Sequence, residues 1–478
     1  MYFKKRNDVL FRQYDEYGYI TDNSEFGYRM LDDNRPIRGE KFVTQSGAVM
    51  LSTLDRYPKH IDDIVTELSQ VFIGVDSETL KDDTIEFLQY FVKEGYLSIG
   101  YSLDTCEDID LGAETENLGS EPAIGAITSE DCSKNKLESN DFLRSIHIEI
   151  ANACNERCVH CYIPHELKTS TMDSNLFYRI IDDGCAMNII HVTLSGGEPL
   201  MHKDIIGFLE KCRKSDLSVN VLSNLLLLTD NIIAEMKQNP LLSVQTSIYS
   251  MDANVHDSIT KLSGSLEKTI NGLKKLQAAG IPLQISCPVM KQNRESFIDV
   301  IRWGRENNIA VAVEPVIFAS YDHTGSNLIN RLSLEEIGNA IDLELGEGYA
   351  EPLRTSAKEK EALHADDPIC SICRYSFCVS ATGNVYPCVG WQTNVLGNLC
   401  EQSLQDIWMN SEDIKRLRHI KRKDFPKCVD CPDRGYCTVC MMSNSNENPD
   451  RDAFIINDFH CAVAAMTHKK VHEYFGKQ

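Results

Sequence analysis

Three closely spaced cysteines are the residues most able to do chemistry. Cys154, Cys158 and Cys161 lie in the segment Cys-Asn-Glu-Arg-Cys-Val-His-Cys. Three thiolates on one loop can hold three irons of a 4Fe–4S cube, because each iron normally takes one cysteine. The fourth iron would then keep the open position that a chemically active metal centre needs. The alternative is a zinc site with His160 or His165 as fourth ligand, although zinc knuckles are normally small finger-like units.

A glycine-rich turn, Leu194-Ser-Gly-Gly-Glu-Pro199, follows one strand–helix unit later. Its glycines allow close backbone approach to a ligand, and its carboxylate can accept a hydrogen bond from an ammonium group. Such turns also occur by chance between strands and helices, so the weight of this one comes from its place after the cysteine loop. Polar residues at the next strand ends can contact a ligand or simply form turns. The candidate contacts are Gly196, Gly197, Glu198, Pro199, Asn224 and Ser247.

Ten of the 18 cysteines lie between Cys370 and Cys461. At such short spacings, in a chain without an export signal, they indicate metal binding rather than a disulfide framework. Paired cysteines are also common in zinc ribbons, so a structural zinc is the alternative for the block from Cys428 to Cys440. The metal-ligand candidates here are Cys370, Cys373, Cys388, Cys428, Cys431, Cys437, Cys440 and Cys461.

The segment that carries the first cysteine group alternates between strand and helix patterns. This alternation predicts parallel strands with right-handed crossovers. Six such units predict an α/β fold, a partial (β/α)6 barrel of the TIM type, with its functional residues at the carboxyl ends of the strands. The predicted strands are 145–150, 190–194, 217–222, 242–248, 282–289 and 310–317, and the predicted helices are 174–185, 204–214, 230–237, 265–279 and 294–307.

Three further segments flank or precede this barrel, which we expect over residues 141–345. Residues 1–103 show strand patterns at 9–11 and 28–31 and helical patterns at 45–55, 60–72 and 77–94. Residues 104–140 are acidic and lack periodicity, which predicts a flexible linker. Residues 346–478 are expected to form a cysteine-rich domain, short of regular pattern beyond Glu351, in which metal replaces part of a core.

The charge and hydropathy of the chain exclude some classes of partner. A formal net charge of −23 argues against nonspecific nucleic-acid binding, which needs cationic side chains to displace counterions. No apolar run is long enough to span a bilayer, and no signal peptide precedes Met1-Tyr2-Phe3. We therefore expect a cytoplasmic protein with no nucleic-acid and no membrane partner.

The cysteine spacing and the Gly-Gly-Glu-Pro turn together resemble the radical S-adenosylmethionine superfamily. One departure is His160, at a position before the third cysteine that is commonly aromatic. The resemblance implies a catalytic cluster on the three cysteines and an S-adenosylmethionine site whose methionine amino group lies at the Gly-Gly-Glu-Pro turn. Asn224 and Ser247 would lie near the ribose and carboxylate. Reduction would release methionine and a 5′-deoxyadenosyl radical, which removes a hydrogen atom from an unactivated carbon.

The carboxyl-terminal cysteines resemble the SPASM extension of that superfamily, which carries two auxiliary 4Fe–4S clusters. Gly383-Asn-Val-Tyr-Pro-Cys388 and Asp406-Ile-Trp408 match its elements, whereas two residues instead of three separate Cys437 from Cys440. The resemblance implies three clusters in all and leaves Cys378 and Cys400 unligated. One auxiliary set would be Cys370, Cys388 and Cys440 with Cys373 as fourth ligand, and the other Cys428, Cys431, Cys437 and Cys461.

The first hundred residues resemble the winged-helix-like domain that binds leader peptides in maturases of ribosomally made peptides. The resemblance is carried by residues 42–51, 61–64 and 87–97. It implies a precursor peptide that is bound through its leader, which adds a strand to a three-stranded sheet. A winged helix with a structural or DNA-binding role is the alternative, and the acidic balance argues against DNA.

Together these resemblances imply a radical peptide maturase that installs an oxidative cross-link and receives electrons from a flavodoxin- or ferredoxin-type reductant. A cysteine thioether is the expected product, and a carbon–carbon link is second. A formylglycine-forming sulfatase maturase is the rival enzyme, but its substrate needs no leader-binding domain. A noncatalytic iron–sulphur electron carrier or peptide-binding protein is the rival from another class, and it would need neither Glu198 nor an open iron.

Overall fold

A computed structural model describes residues 1–107 and 142–476. Most of the predicted linker, residues 104–140, lies outside these ranges. The described residues form two small amino-terminal sheets and one sheet of nine strands. Within these ranges no helix combines the length and the apolar character needed to cross a membrane.

The amino-terminal unit packs three helices against two three-stranded antiparallel sheets. One sheet has the order β5-β1-β6 and the other β2-β3-β4. Its core is built from buried aliphatic and aromatic residues, among them Phe3, Leu51 and Phe91. The elements are β1 Tyr2–Lys5, β2 Val9–Gln13, β3 Tyr17–Asp22, β4 Glu40–Thr44, α1 Gln45–Ser52, β5 Lys59–His60, α2 Ile61–Leu68, α3 Ser77–Lys93 and β6 Leu97–Gly100.

The strand predicted at 28–31 is wrong. This segment closes the amino-terminal end of the barrel: the Tyr28 amide donates to Ser243 Oγ at 3.1 Å, and the Leu31 amide donates to the Asn308 carbonyl at 2.9 Å. The backbone groups that would form a strand ladder are therefore used against the barrel. Just before it, the Phe26 ring stacks on the His191 ring with centroids 5.2 Å apart.

Six parallel strands form the predicted partial barrel, in the order β12-β11-β10-β9-β8-β7. Alternate positions of each strand, such as Ile146 and Ile148 in β7, enter the core between sheet and helices. The other positions face the barrel interior and are mostly polar. The strands are β7 Ser145–Ala151, β8 His191–Gly196, β9 Ser218–Leu222, β10 Leu242–Ser247, β11 Leu283–Pro288 and β12 Ala310–Glu314; the helices are α4 Ser174–Ala186, α5 Ile205–Lys214, α6 Asp230–Gln238, α7 Ala253–Thr260, α8 Ser265–Ala278 and α9 Phe297–Glu306.

The carboxyl-terminal segment continues the same sheet, because β13 pairs in parallel with β7 from Ser376↔Ser145 to Val379↔Ile148. The predicted domain boundary at residue 345 falls inside a helical run over 334–361, and the sheet contains strands from both sides of it. The boundary stays a prediction. The expectation of little regular structure beyond Glu351 is wrong, since two long helices occur there. The elements are α10 Leu334–Glu344, a π-helical turn Leu345–Tyr349, α11 Ala350–Glu361, β13 Ser376–Val379, β14 Asn384–Tyr386, β15 Gly397–Asn398, α12 Leu404–Asn410, α13 Glu412–Arg418, α14 Pro426–Val429, α15 Met441–Glu447 and α16 Asp458–Gly476.

The amino-terminal unit docks at the amino ends of the barrel strands. Tyr17, Tyr19 and Phe42 on one face of its second sheet share a buried cluster with Ile190 and Leu241. The last two residues immediately precede β8 and β10. The cysteine loop follows the carboxyl end of β7, which is where functional residues lie in such barrels. The amino-terminal unit therefore lies at the opposite end of the barrel from the cysteine loop.

An ion cluster around Asp216 reinforces this docking. Lys5 Nζ lies 3.2 Å from the Asp216 carboxylate, and Arg56 and Arg12 also pair with it. The Arg12 guanidinium donates to the Asp216 carbonyl at 2.6 Å and to the Ile189 carbonyl at 3.1 Å. Burial alone would raise the pKa of Asp216, but Lys5, Arg56 and Arg12 outweigh it and hold that pKa below its usual value.

Replacing Asp216 should therefore loosen the docked unit. We expect Asp216→Ala to lower the free energy of unfolding by about 3 kcal/mol at pH 7, because three cations lose their shared partner. The depressed pKa means that this contribution is present at neutral pH and is lost as the pH falls through the folded-state pKa. Equilibrium urea unfolding of the full chain measures it.

The matched control is Asp182→Ala, which removes an exposed pair with Lys211 and should cost about 0.5 kcal/mol or less. Equal losses in the two variants would contradict the structural role of the ion cluster.

Candidate functional site

Four predicted motifs meet at one edge of the barrel sheet. The cysteine loop follows β7, and the turn 196–199 ends β8. Asn224 lies two residues after β9, and Ser247 is the last residue of β10. Carboxyl ends of neighbouring parallel strands lie side by side, so these residues border one region.

The cysteine loop is held on both sides by hydrogen bonds to its backbone. The amide of Arg157 donates to the carbonyl of Thr260 at 2.9 Å, and that of Val159 to the carbonyl of Ile259 at 3.0 Å. On the other side, Asn327 Nδ2 donates to the carbonyl of the next loop residue, His160, at 3.0 Å. The loop conformation is thus fixed by α7 and by the segment after β12.

The three thiols are half-buried and free of disulfides. Burial raises the pKa of Cys154 to about 11, and it also raises the pKa of Cys158 well above the usual value of a thiol. The Cys158 thiol donates to Glu156 Oε2 at 3.4 Å, and the Glu156 amide contacts Cys154 Sγ at 3.4 Å. Thiols this weakly acidic ionise readily only when a metal ion takes the place of the proton. A loop of three soft donors therefore fits an iron–sulphur cluster.

The two glycines of the Gly-Gly-Glu-Pro turn are needed for its contact with the cysteine loop. Gly196 has a φ of +129°, and a Cβ there would come 2.0 Å from the Ala151 carbonyl oxygen. A Cβ on Gly197 would come 2.3 Å from the Asn152 carbonyl oxygen. The Gly197 amide donates to the Ala151 carbonyl at 2.6 Å. The backbone of the turn therefore packs directly on the residues that precede Cys154, and no larger side chain fits.

Glu198 is fully buried and organises the next strand end. Its Oε1 accepts from the Leu200 amide at 2.9 Å and from Ser223 Oγ at 2.7 Å. Its Oε2 accepts from the Asn224 amide at 2.8 Å, which leaves that oxygen able to accept one more donor. Burial raises the pKa of Glu198 to about 7. The predicted bond to an ammonium group stays a prediction.

The other three residues predicted to contact the ligand, Asn224, Ser247 and Pro199, each lie in different surroundings. Asn224 Nδ2 donates to Asn155 Oδ1 at 2.7 Å, so Asn224 joins the β9 end to the cysteine loop. Ser247 is half-buried beside Ser286 of β11, at a position of β10 that faces the barrel interior. Pro199 is buried and starts a short 3-10 turn. A direct ligand role for these three residues stays a prediction.

The two predicted auxiliary sets are each brought together. Cys388 and Cys370 both act electrostatically on Cys440 and on Cys373, which places these four thiols near one another. The second set surrounds a cavity of about 120 Å³ that is lined by Cys428, Cys431, Cys437 and Cys461. Cys440 lines it as well, so it lies between the two sets. Cys378 is fully buried in β13 and Cys400 is exposed.

The cavity lined by the second auxiliary set suits a cubane cluster. A zinc ion needs its ligands about 2.3 Å away, which draws the sulphurs together. Thiols that line a wider cavity instead suit a cluster that takes one cysteine per iron.

Glu149 is a buried carboxyl that sequence reasoning missed. It ends the inward-facing row of β7, where its Oε2 accepts from Gln392 Nε2 at 2.7 Å and its Oε1 from the Tyr162 hydroxyl at 3.3 Å. Tyr162 follows Cys161, and Gln392 belongs to the loop after Cys388. Glu149 therefore bridges two cysteine loops, and burial raises its pKa to about 7. An acidic residue among the isoleucines of β7 was the available signal.

Comparisons with known proteins agree with these three units. Residues 148–304 match the radical SAM superfamily, and residues 370–432 match the iron–sulphur cluster-binding domain called SPASM. Residues 41–97 match the coenzyme PQQ synthesis protein D family, PqqD. The three domains predicted from the sequence are thus present in the predicted order.

The chain is also similar to individual relatives and to a solved structure. An AdoMet-dependent heme synthase from Methanosarcina barkeri is 26% identical over 62% of this chain and 90% of its own. A PqqA peptide cyclase from Methylocella silvestris is 24% identical over 59% of this chain and 78% of its own. The crystal structure of Streptococcus suis SuiB bound to precursor peptide SuiA covers 96% of this chain and 100% of its own, with 15% identity and a TM-score of 0.61. The structural match establishes a shared fold.

The role of Glu198 can be tested by binding. We expect Glu198→Gln to weaken S-adenosylmethionine binding about tenfold or more, because an amide nitrogen replaces one acceptor and a charge-assisted bond is lost. Anaerobic isothermal titration with the reconstituted full chain measures the dissociation constant. Glu210→Gln is the control, since Glu210 is exposed and pairs with Lys214. Equal affinities in the two variants would contradict a role for Glu198 at this site.

Proposed function

We propose that this chain, which carries radical S-adenosylmethionine, SPASM and PqqD domains, modifies a ribosomally made precursor peptide. The single observation that carries the proposal is the PqqD-type unit on the same chain as the radical barrel. A unit of this type binds a peptide leader, as implied by the sequence resemblance, and the barrel supplies the chemistry. SuiB, whose fold spans nearly the whole chain, was crystallised with its precursor peptide, which supports this proposal.

The radical SAM and SPASM domains indicate that the chain binds S-adenosylmethionine and iron–sulphur clusters. We propose three clusters of the 4Fe–4S type. Cys154, Cys158 and Cys161 would hold the first. The auxiliary clusters would use the sets Cys370, Cys373, Cys388, Cys440 and Cys428, Cys431, Cys437, Cys461. When bound, S-adenosylmethionine and the first cluster supply a radical that removes hydrogen from an unactivated carbon.

The protein's own residues shape the place where this chemistry occurs. Glu198 and Asn224 tie the ends of β8 and β9 to the cysteine loop, which keeps the strand ends in register with it. The segment around Phe26 covers the other end of the barrel, where the Phe26 ring stacks on His191 and the Phe26 carbonyl accepts from Asn220 Nδ2 at 2.7 Å. Glu149 lies between two of the proposed cluster sites, where it accepts hydrogen bonds from Tyr162 and Gln392 and so ties the two cysteine loops together.

We infer that the leader binds the amino-terminal unit, of which residues 41–97 match the PqqD family. This unit packs at the amino ends of the barrel strands, through the cluster that contains Ile190 and Leu241. A strand of six residues is about 20 Å long. The precursor therefore needs a spacer of roughly ten residues or more between its leader strand and the modified residue, since it must pass around the barrel.

The product we propose is an oxidative cross-link, first a cysteine thioether and second a carbon–carbon bond. A thioether forms when a carbon–hydrogen bond and a thiol S–H bond are replaced by a carbon–sulphur bond, with loss of two electrons and two protons. The 5′-deoxyadenosyl radical would take one electron and one proton as a hydrogen atom, an auxiliary cluster would take the second electron, and the thiol proton would pass to solvent. Formylglycine formation, as in sulfatase maturases, has less support because that substrate needs no leader-binding unit. A pure electron carrier would not need the buried Glu198 turn.

The partners and place of action follow the same reasoning. We propose a flavodoxin- or ferredoxin-type reductant as the electron source. We also propose the cytoplasm as the compartment, because it keeps thiols reduced.

Mass spectrometry of a co-expressed precursor tests the peptide modification. The probe is each short, cysteine-containing peptide encoded beside the gene for this chain. We expect a loss of two hydrogens for each link, together with 5′-deoxyadenosine formation after reduction. Unchanged peptide masses in the presence of 5′-deoxyadenosine formation would contradict the substrate class, while absence of 5′-deoxyadenosine would contradict the radical activity itself.

Iron and sulphide analysis tests the three-cluster assignment. We expect about twelve irons per chain in the anaerobically reconstituted protein, and about eight in Cys154/Cys158/Cys161→Ala and in Cys428/Cys431→Ala. Cys400→Ala removes an exposed thiol outside the proposed sets and should keep the full content. Zinc in place of iron, or equal iron in all four proteins, would overturn the assignment.

A further inference from the structure

Tyr249 brings a hydrogen-bond donor to the cysteine loop from a different strand. It lies two residues after β10, and its hydroxyl donates to Cys158 Sγ at 3.8 Å, which is a long hydrogen bond but within the reach of a large sulphur acceptor. The side chain is buried. Among the described residues, the Glu156 amide also donates to a loop sulphur, that of Cys154. Glu156 belongs to the loop itself, whereas Tyr249 belongs to the segment after β10.

The Tyr249 side chain is fixed in place from several directions. Its backbone amide donates to His256 Nδ1 at 3.3 Å, and its carbonyl accepts from Asn293 Nδ2 at 2.8 Å. Its ring meets the His160 ring edge-on, with centroids 5.1 Å apart. It also shares a small buried cluster with Ile259 and Met290. A phenol held this way cannot easily turn its hydroxyl away from the sulphur.

We propose that the Tyr249 hydroxyl, through its hydrogen bond to Cys158, raises the reduction potential of the cluster held by Cys154, Cys158 and Cys161. The inference rests on the proposed function, in which these cysteines hold that cluster. The reduced cluster carries one more negative charge, so a fixed O–H dipole aimed at a ligand sulphur stabilises it more than the oxidised cluster. Low-potential reductants can then reduce the cluster more completely.

Tyr249→Phe removes the hydroxyl and keeps the ring. We expect about a tenfold smaller equilibrium constant for one-electron reduction, as for the loss of one hydrogen bond to a charged acceptor; this equals a midpoint about 59 mV more negative. Redox titration of the full chain, followed by electron paramagnetic resonance, measures it. The relevant signal is the one absent from Cys154/Cys158/Cys161→Ala, and iron content should match the wild type.

Tyr349→Phe is the matched control, because the Tyr349 hydroxyl donates to the Val311 carbonyl at 2.7 Å, not to a sulphur, and the midpoint should not move. An unchanged midpoint in Tyr249→Phe with full iron would overturn the proposal.

If Tyr249→Phe loses the cluster, 3-fluorotyrosine at position 249 decides the question. It retains the ring and is a stronger donor, so a more positive midpoint is expected and an unchanged one would overturn the proposal. A wild-type protein without the cluster signal would instead contradict the proposed function.

Discussion

Two backbone hydrogen bonds join the end of β8 to the start of the cysteine loop, from the Gly197 amide to Ala151 and from the Glu198 amide to Ala153. They require two residues without side chains, because any Cβ at Gly196 or Gly197 would overlap the loop backbone. This contact sets where the three thiols lie relative to the strand ends. It also places the Glu198 carboxylate at the end of β9, where it accepts hydrogen bonds from the Ser223 hydroxyl and the Asn224 amide. The Asn224 side chain in turn donates to Asn155 of the cysteine loop.

The regions that we propose for peptide recognition and for chemistry lie at opposite ends of the barrel axis. The PqqD-type unit covers the amino ends of the strands through aromatic packing and the ions around Asp216. The cysteine loop lies at the carboxyl ends. The SPASM segment joins the barrel from the side, through parallel pairing of β13 with β7. Glu149, at the end of β7, contacts residues of both cysteine loops, so the common strand also carries a direct link between two proposed cluster sites.

Burial has the same effect on the two carboxyls at this site. Glu149 and Glu198 are both removed from water, and burial raises the pKa of each to about 7. Neighbouring donors form hydrogen bonds to the oxygens of both carboxyls, and these bonds offset part of the cost of burying them. Carboxyls in such surroundings cost stability compared with apolar residues, and they are expected where position or proton exchange matters more than packing.

The sequence alone determined the chemistry-bearing motifs, the strand–helix alternation and the division of cysteines into groups. These features are local: ligand spacing, glycine turns and hydrophobic period are all readable within a few residues. It misassigned 28–31 as a strand because a strand pattern does not reveal that its backbone groups bond to the barrel. It also missed the helix Asp458–Gly476, because only Ala464 and Val471 of that helix are buried, so its apolar residues show little helical periodicity.

Only the tertiary structure decided which distant residues meet. Tyr249 reaches Cys158 across 91 positions, and Gln392 reaches Glu149 across 243. No local pattern encodes such pairs, because they depend on how β7, β10 and β13 are ordered in one sheet. The docking side of the amino-terminal unit is likewise invisible in the sequence, since it follows from aromatic side chains that pack against the barrel only after both units have folded.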